Sequence, residues 1–218
     1  MSNLKGMLVI ISGPSGSGKG TVVKALDSDR GFALSISMTT RKPRPGEEHG
    51  RDYFFVDEEE FIATRDSEGL LEHALFVGNL YGTPRRYVED EISKGKIVVL
   101  EIEVEGALQI REKFPDAVLI FLMPPDIGEL GRRLSKRQTE DKMTIEQRLT
   151  RAKNEIKYIS RYDYVVINDV VESAVDRINT IVSAESLKPH RNPELVENFK
   201  GDEFDVASFI LRIDELIK

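Results

Sequence analysis

Four short runs of β-branched and apolar residues recur along the chain, and each is nearly continuous rather than alternating with polar positions. They cover residues 8–12, 97–102, 117–123 and 164–167. Strands have this pattern when both of their faces are covered by other elements, because neither face meets water. The runs therefore predict strands that are covered on both faces.

Stretches with helical character separate these runs, over residues 19–26, 104–114, 145–159 and 171–184. The resulting order is strand, helix, strand, repeated along the chain. Such an order brings successive strands into the same direction, because the helix returns the chain to the edge at which it started. We therefore expect an α/β fold with a parallel sheet.

The pattern changes between about residues 35 and 90. Residues 35–38 alternate between polar and apolar, residues 42–46 form a turn rich in Pro and Gly, and residues 52–56 resemble an aromatic strand. Alternation is typical of strands with one solvated face, which are commonly antiparallel. We expect an inserted, partly antiparallel part that binds a substrate.

Two further segments leave alternatives open. The charged stretch 132–142 joins two helices with few apolar residues, a pattern that fits a mobile lid and a solvated helix end equally. Near the C-terminus, residues 188–193 interrupt a helix, and the apolar residues after them suit one helical face. That face would pack on the protein's own surface or on a second copy of the chain. Its residues are Phe204, Val206, Phe209, Ile210, Ile213 and Ile217.

Composition narrows the classes of function. A chain of 218 residues fits one domain with inserted parts. A net charge of -7 disfavours broad nucleic-acid binding, which relies on clustered Lys and Arg. The absence of Cys excludes disulfides and thiolate metal sites and fits a cytoplasmic protein, and three His residues disfavour structural zinc. The first apolar run is too short to span a membrane, so no membrane role is expected.

A glycine-rich segment follows the first predicted strand and opens the first predicted helix. Its spacing, G-x-x-x-x-G-K, lets backbone N–H groups surround phosphates while the lysine reaches the β and γ phosphates. The spacing alone also fits an ordinary glycine-rich turn, but its place between strand and helix favours phosphate binding. Gly20 departs from the usual Ser or Thr that contacts magnesium, so Thr21 or a water would serve there. The segment comprises Gly13, Pro14, Ser15, Gly16, Ser17, Gly18, Lys19, Gly20 and Thr21.

Residues of the inserted part could bind the molecule that accepts a phosphoryl group. Arg41 and Arg44 could hold one phosphate together, because planar guanidinium groups pair with phosphate oxygens in a bidentate manner. Tyr53 and Tyr81 could add hydroxyl donors. Taken alone, the two arginines fit a solvated basic turn equally well.

Two glutamates are candidates for reading a purine base. Guanine offers N1–H and N2–H donors along one edge, whereas adenine offers an acceptor at N1. Carboxylates at Glu72 and Glu103 would therefore select guanine. Taken singly, each glutamate is more often a surface charge.

Together these residues resemble the guanylate kinase family over about residues 7–187. The resemblance implies a three-layer P-loop kinase core over residues 1–34 and 91–187, a GMP-binding insert over 35–90, a mobile lid at about 132–145 and a C-terminal extension over 188–218. It is carried by residues 12–21 and 37–53, by 78–83, by 101–107, by 137–140 and by 167–169.

The resemblance also implies roles for single residues. Ser37, Glu72, Thr83 and Glu103 would meet the guanine. Arg41, Arg44, Tyr53 and Tyr81 would hold the GMP phosphate, and Asn168 and Asp169 would contact the adenine of ATP. Lys19, Arg44, Arg137 and Arg148 would be the catalytic residues. Many relatives have Asp where this chain has Glu103 and Gly where it has Gln138, which affects site geometry and lid flexibility.

The implied reaction is transfer of a phosphoryl group from ATP to GMP, or to deoxy-GMP, with magnesium as the required ion. One alternative is a guanylate-kinase-like module that binds peptides and has lost catalysis. The intact loop and the presence of Lys19, Arg41 and Arg137 argue against it. A second alternative is a kinase of another acceptor, which Glu72, Glu103 and Tyr81 together disfavour.

Overall fold

The computed structural model describes residues 6–26, 32–135 and 142–200. Its strands are β1 (Met7–Ser12), β2 (Phe32–Leu34), β3 (Met38–Thr39), β4 (Phe54–Phe55), β5 (Leu70–Phe76), β6 (Asn79–Pro84), β7 (Ile97–Glu101), β8 (Val118–Met123) and β9 (Tyr164–Ile167). Its helices are α1 (Lys19–Ala25), α2 (Glu58–Asp66), α3 (Arg85–Ser93), α4 (Val104–Lys113), α5 (Ile127–Ser135), α6 (Lys142–Ile156), α7 (Val171–Ser186) and α8 (Pro193–Lys200). Within these residues, no helix has the length and apolar character needed to cross a membrane.

The larger sheet has five strands in the order β2-β7-β1-β8-β9, and all of its neighbouring strands are parallel. The four strands expected from the continuous apolar runs are β1, β7, β8 and β9, which confirms the predicted parallel α/β sheet. The fifth strand, β2, was missed in the sequence. It has three residues, too few for a pattern that distinguishes a strand from a loop.

Both faces of this sheet are covered by helices. Along β1, Val9 and Ile11 belong to one apolar cluster with side chains of α1 and α7. Leu8 and Ile10 belong to a second cluster with side chains of α3 and α4 on the opposite face. Successive strand residues point to opposite faces, so a strand between two helical layers must be apolar at every position.

The smaller sheet has the order β4-β3-β6-β5. β6 pairs antiparallel with both β3 and β5, whereas β3 and β4 are parallel. The aromatic strand expected over 52–56 is limited to Phe54–Phe55. This mixed sheet fits the partly antiparallel insert that the sequence predicts.

Two predicted segments fall partly outside the described residues. α5 ends at Ser135 and α6 begins at Lys142, so residues 136–141 of the predicted lid, including Arg137 and Gln138, lie outside them. Near the C-terminus, the chain leaves α7, forms a 3-10 turn at Pro189–Arg191 and enters α8. The apolar residues expected on one helical face, from 204 to 217, also lie outside the described residues.

Adjacent valines of β9 provide a matched test of this packing. Val166 is 1% exposed and Val165 is 49% exposed. We expect Val166→Ala to lower the free energy of unfolding by about 2 kcal/mol, because it removes buried methyl groups and leaves a cavity. Val165→Ala should change it by less than about 0.5 kcal/mol. Urea denaturation of both variants measures the difference, and equal losses would contradict the assigned burial.

Candidate active site

The glycine-rich loop lies at the carboxyl edge of the larger sheet, between the end of β1 and the start of α1. Gly13 opens it with a φ of 146°, and a methyl group on Gly13 would overlap the carbonyl oxygen of Leu122 in β8. A side chain at this position would push the loop away from the sheet. Glycine therefore lets the loop backbone lie against β8 with its N–H groups free to turn inward.

Lys19, the first residue of α1, folds back over the loop. Its Nζ atom donates a hydrogen bond to the Gly13 carbonyl oxygen at 2.7 Å, and it lies 3.5 Å from Oε1 of Glu103. The lysine is only 8% exposed. A buried ammonium held by a carbonyl and a carboxylate is well placed to meet an anion entering the loop.

The loop is anchored from the end of β9. The side-chain amide of Asn168 donates to the Ser17 carbonyl oxygen at 2.8 Å, and Arg133 of α5 donates to the Asn168 carbonyl oxygen at 3.0 Å. Asn168 is buried, whereas Asp169 is exposed and accepts from the N–H of Val170 at 2.9 Å. The sequence argument missed Arg133, because nothing in a charged helix end shows which arginine reaches the loop.

Two glutamates lie at the carboxyl end of β7, beside the loop: Glu101 is its last residue and Glu103 lies two residues further on. Glu101 faces the space next to Gly20, where a Cβ would lie 3.4 Å from each of its carboxylate oxygens. Glu101 is accessible to solvent from one side, yet the surrounding protein walls desolvate it and raise its pKa, with Lys19 opposing this and Glu103 adding to it. Sequence reasoning assigned Glu103 and missed Glu101, although the two alternate at the end of one strand.

Glu72 of β5 is the most deeply buried carboxylate among the predicted site residues, at 3% exposure. Its Oε1 atom accepts a hydrogen bond from Oγ1 of Thr83 at 2.6 Å. Gly106 of α4 leaves room for its other oxygen, since a methyl group there would overlap the carboxylate. Desolvation raises the pKa of Glu72 to about 7, against the opposing effects of the Thr83 hydrogen bond and Lys113. Gly106 is a site residue that was not predicted.

Arg41 lies in a turn organised around the Glu47 carboxylate. Its guanidinium donates to Glu47 at 3.0 Å and to the Tyr81 hydroxyl oxygen at 3.1 Å. The backbone N–H of Arg44 also donates to Glu47, at 2.8 Å. Desolvation works against ionisation of Glu47, but these hydrogen bonds outweigh it and hold its pKa below the usual range. The carboxylate thus sits where two predicted phosphate-binding residues converge.

The remaining predicted residues take different positions around this cleft. Tyr53 packs edge-on against Tyr81, with ring centroids 6.0 Å apart, and desolvation raises its pKa to about 12. Ser37 is half-buried just before β3, and Arg148 is half-buried on α6. The side chains of Arg44 and Thr21 are exposed, so the structure does not gather them with the buried groups.

The two sides of the cleft meet at the first turn of α4. Glu103 precedes this helix and contacts Lys19 of the loop, and Gly106 within it contacts Glu72 of the smaller sheet. An ion pair between exposed Lys24 of α1 and half-buried Asp52, at 3.7 Å, joins the same two sides. The cleft therefore places the glycine-rich loop opposite a buried carboxylate and a cationic turn.

Comparisons with known proteins agree with this geometry. A family model described as guanylate kinase matches residues 5–185. The guanylate kinase of Latilactobacillus sakei is 51% identical over 202 residues, which cover 92% of this chain and 98% of that protein. The guanylate kinase of Bacillus anthracis is 53% identical over 193 residues, covering 88% of this chain and 94% of that protein.

A solved structure gives the same result. The crystal structure of guanylate kinase from Anaplasma phagocytophilum aligns with a TM-score of 0.76 and 37% identity, over 90% of this chain and 96% of that one. The predicted resemblance is thereby confirmed over most of the chain. The chain belongs to the guanylate kinase family.

Proposed function

We propose that the chain transfers the γ-phosphoryl group of ATP to GMP and releases ADP and GDP, with the residues of the cleft in the roles given below. A phosphate oxygen of GMP attacks the γ-phosphorus in line with the leaving ADP oxygen. The observation that carries this proposal is the position of the buried Glu72 carboxylate. It contacts the first turn of α4, as the phosphate loop does from the other side of the cleft. A site for the purine base and a site for the triphosphate therefore lie within one cleft.

Guanine is selected by acceptors that match its N–H edge. Glu72 accepts one bond from Thr83, and Oε2 of Glu103 is buried without a hydrogen bond to any described part of the chain. Buried acceptors without donors are costly, so a base that supplies N1–H and N2–H stabilises the site. Adenine would present an acceptor to these carboxylates. Ser37 completes the base site in this proposal.

The GMP phosphate is held by Arg41, Arg44, Tyr53 and Tyr81. In the structure, Arg41 and the Arg44 backbone hold the Glu47 carboxylate. A phosphate has the same acceptor chemistry and more charge, so it competes with Glu47 for these donors. Glu47 would keep the turn ordered while the site is empty.

The donor triphosphate lies on the loop from Gly13 to Thr21, with Lys19 on its β and γ oxygens and Asn168 and Asp169 towards the adenine. Arg148, together with Arg137, which lies outside the described residues, would neutralise charge on the transferring group. No general base is required. The second pKa of a phosphate monoester is about 6, so the attacking oxygen is already largely ionised near neutral pH.

Magnesium is the ion that this family implies for ATP, and the residues beside the loop fit it. The Glu101 carboxylate points to the space beside Gly20, where most P-loops place a hydroxyl. Carboxylate oxygens are preferred magnesium ligands, so Glu101 would hold the ion directly or through water. Thr21 is the alternative ligand. The ion would supply positive charge that neutralises the triphosphate.

The reaction returns GMP and deoxy-GMP to the diphosphate pool of purine metabolism. We propose that it takes place in the cytoplasm and that the chain needs neither nucleic acid nor membrane as a partner. We also propose that the C-terminal extension packs on the protein's own surface or on a second copy of the chain.

A coupled assay of ADP release tests the acceptor. With GMP, AMP, CMP and dTMP compared at equal concentrations, we expect the highest kcat/KM with GMP. Deoxy-GMP should also be accepted, because none of the proposed base contacts involves the ribose 2′-hydroxyl. Activity with none of the nucleotides would favour a binding scaffold, and a best rate with a different base would end the guanine assignment.

Glu72→Gln tests the base-reading role. Gln replaces one acceptor oxygen with a donor, so the variant should lose at least about tenfold of the preference for GMP over AMP in kcat/KM. Glu59→Gln, at an exposed position of α2, makes the same chemical change away from the cleft and should retain the preference. An unchanged preference in Glu72→Gln would remove that residue from its assigned role.

A further inference from the structure

Helix α6 touches the smaller sheet through a cation–aromatic pair. The guanidinium carbon of Arg151 lies 4.2 Å from the ring centroid of Phe76, the last residue of β5. The negative face of the ring attracts the cation at this distance. Because α6 also carries Arg148, this pair joins the helix of a predicted catalytic arginine to the sheet of the acceptor site.

Phe76 passes this contact on to the phosphate-binding turn. Its ring packs edge-on against Tyr81, with centroids 6.0 Å apart. The Tyr81 hydroxyl in turn accepts a hydrogen bond from Nε of Arg41 at 3.1 Å. Arg151 is therefore two ring contacts and one hydrogen bond away from a residue proposed to hold the GMP phosphate.

Glu155 holds the Arg151 guanidinium through a hydrogen bond. One turn along α6, its Oε1 atom accepts from Nε of Arg151 at 2.8 Å, and the residue is 7% exposed. Desolvation raises the pKa of Glu155, while the Arg151 hydrogen bond and the charge of Lys19 lower it.

The side chains of Arg151 and Glu155 are not tightly packed on the side of α6 that faces α4. A cavity of about 710 Å³ lies between α4 and α6, and both Arg151 and Glu155 line it. The two helices therefore do not pack closely at this level. Because α6 is not packed closely against α4 here, its contact with the smaller sheet through Arg151 and Phe76 has more influence on the position of the helix.

We propose that Arg151 and Glu155 are positioning residues for the acceptor nucleotide. Glu155 orients the Arg151 guanidinium, and Arg151 holds Phe76 so that the phosphate-binding turn keeps its distance from the helix that carries Arg148. This inference rests on the proposed function, since it assumes that GMP occupies the cleft.

A double-mutant cycle with Arg151→Gln and Phe76→Leu tests the contact in the full-length protein. We expect each single variant to raise KM for GMP about threefold, because the competent arrangement of the acceptor site becomes less populated. KM for ATP and kcat should change little. KM for GMP in the double variant should be no higher than in the single variant with the larger increase, because either change alone already removes the shared contact.

Lys153→Gln is the matched control, since it removes a positive charge from an exposed position of the same helix. It should leave KM for GMP unchanged. Unchanged KM for GMP in the Arg151 and Phe76 variants, additive effects in the double variant, or an equal rise in KM for ATP would each overturn the inference. Wild-type activity with GMP tests the proposed function separately, so the two failures are distinguishable.

A second pair of variants tests whether Glu155 acts through Arg151. Glu155→Gln keeps an oxygen that can accept from Arg151 and should stay near the wild-type KM for GMP. Glu155→Leu removes that acceptor and should reproduce the Arg151→Gln effect. Equal behaviour of the two Glu155 variants would contradict this role.

Discussion

The parallel pairing of β1 with β7 is the constraint on which the site depends. Ile11 pairs with Glu101, so both strands end at the same edge of the sheet and their following loops emerge side by side. The glycine-rich loop therefore starts beside the two glutamates at the end of β7, and Lys19 comes within 3.5 Å of Glu103. Cationic and anionic groups from distant parts of the chain converge there because the strand pairing fixes where these loops emerge. Ligand sites in open α/β sheets commonly lie at this edge.

Burial of Glu72 gives the acceptor site its character. Removing a carboxylate from water is unfavourable, and hydrogen bonding from Thr83 together with the positive charge of Lys113 offsets only part of that cost, so the pKa of Glu72 rises to about 7. A ligand with two matched N–H donors stabilises the ionised form that the empty site disfavours. In the proposed role of Glu72, selectivity for guanine and the raised pKa of this carboxyl are two consequences of the same burial, made possible by the missing side chain at Gly106.

Sequence patterns predicted the parts of the fold that depend on local chemistry. The continuous apolar runs predicted β1, β7 and β8, which helices cover on both faces, and also β9, which is an edge strand with Val165 exposed. Asp57 followed by three glutamates is an N-cap signal for α2 that could have been used as well. The three-residue β2 was too short to be recognised. Contacts such as Asn168 with Ser17, or Arg151 with Phe76, depend on which elements become neighbours in space, and no local pattern encodes that.

Proton release on GMP binding tests most directly whether Glu72 receives the guanine. At about pH 6.5 a carboxyl with a pKa near 7 is mostly protonated, and it must ionise to accept two N–H donors. Isothermal titration in buffers of different ionisation enthalpy counts the protons released, and Glu72→Gln provides the background from the GMP phosphate. We expect the wild type to release a substantial part of one proton more than the variant. Equal proton counts would contradict the assignment of Glu72 as the residue that reads the base.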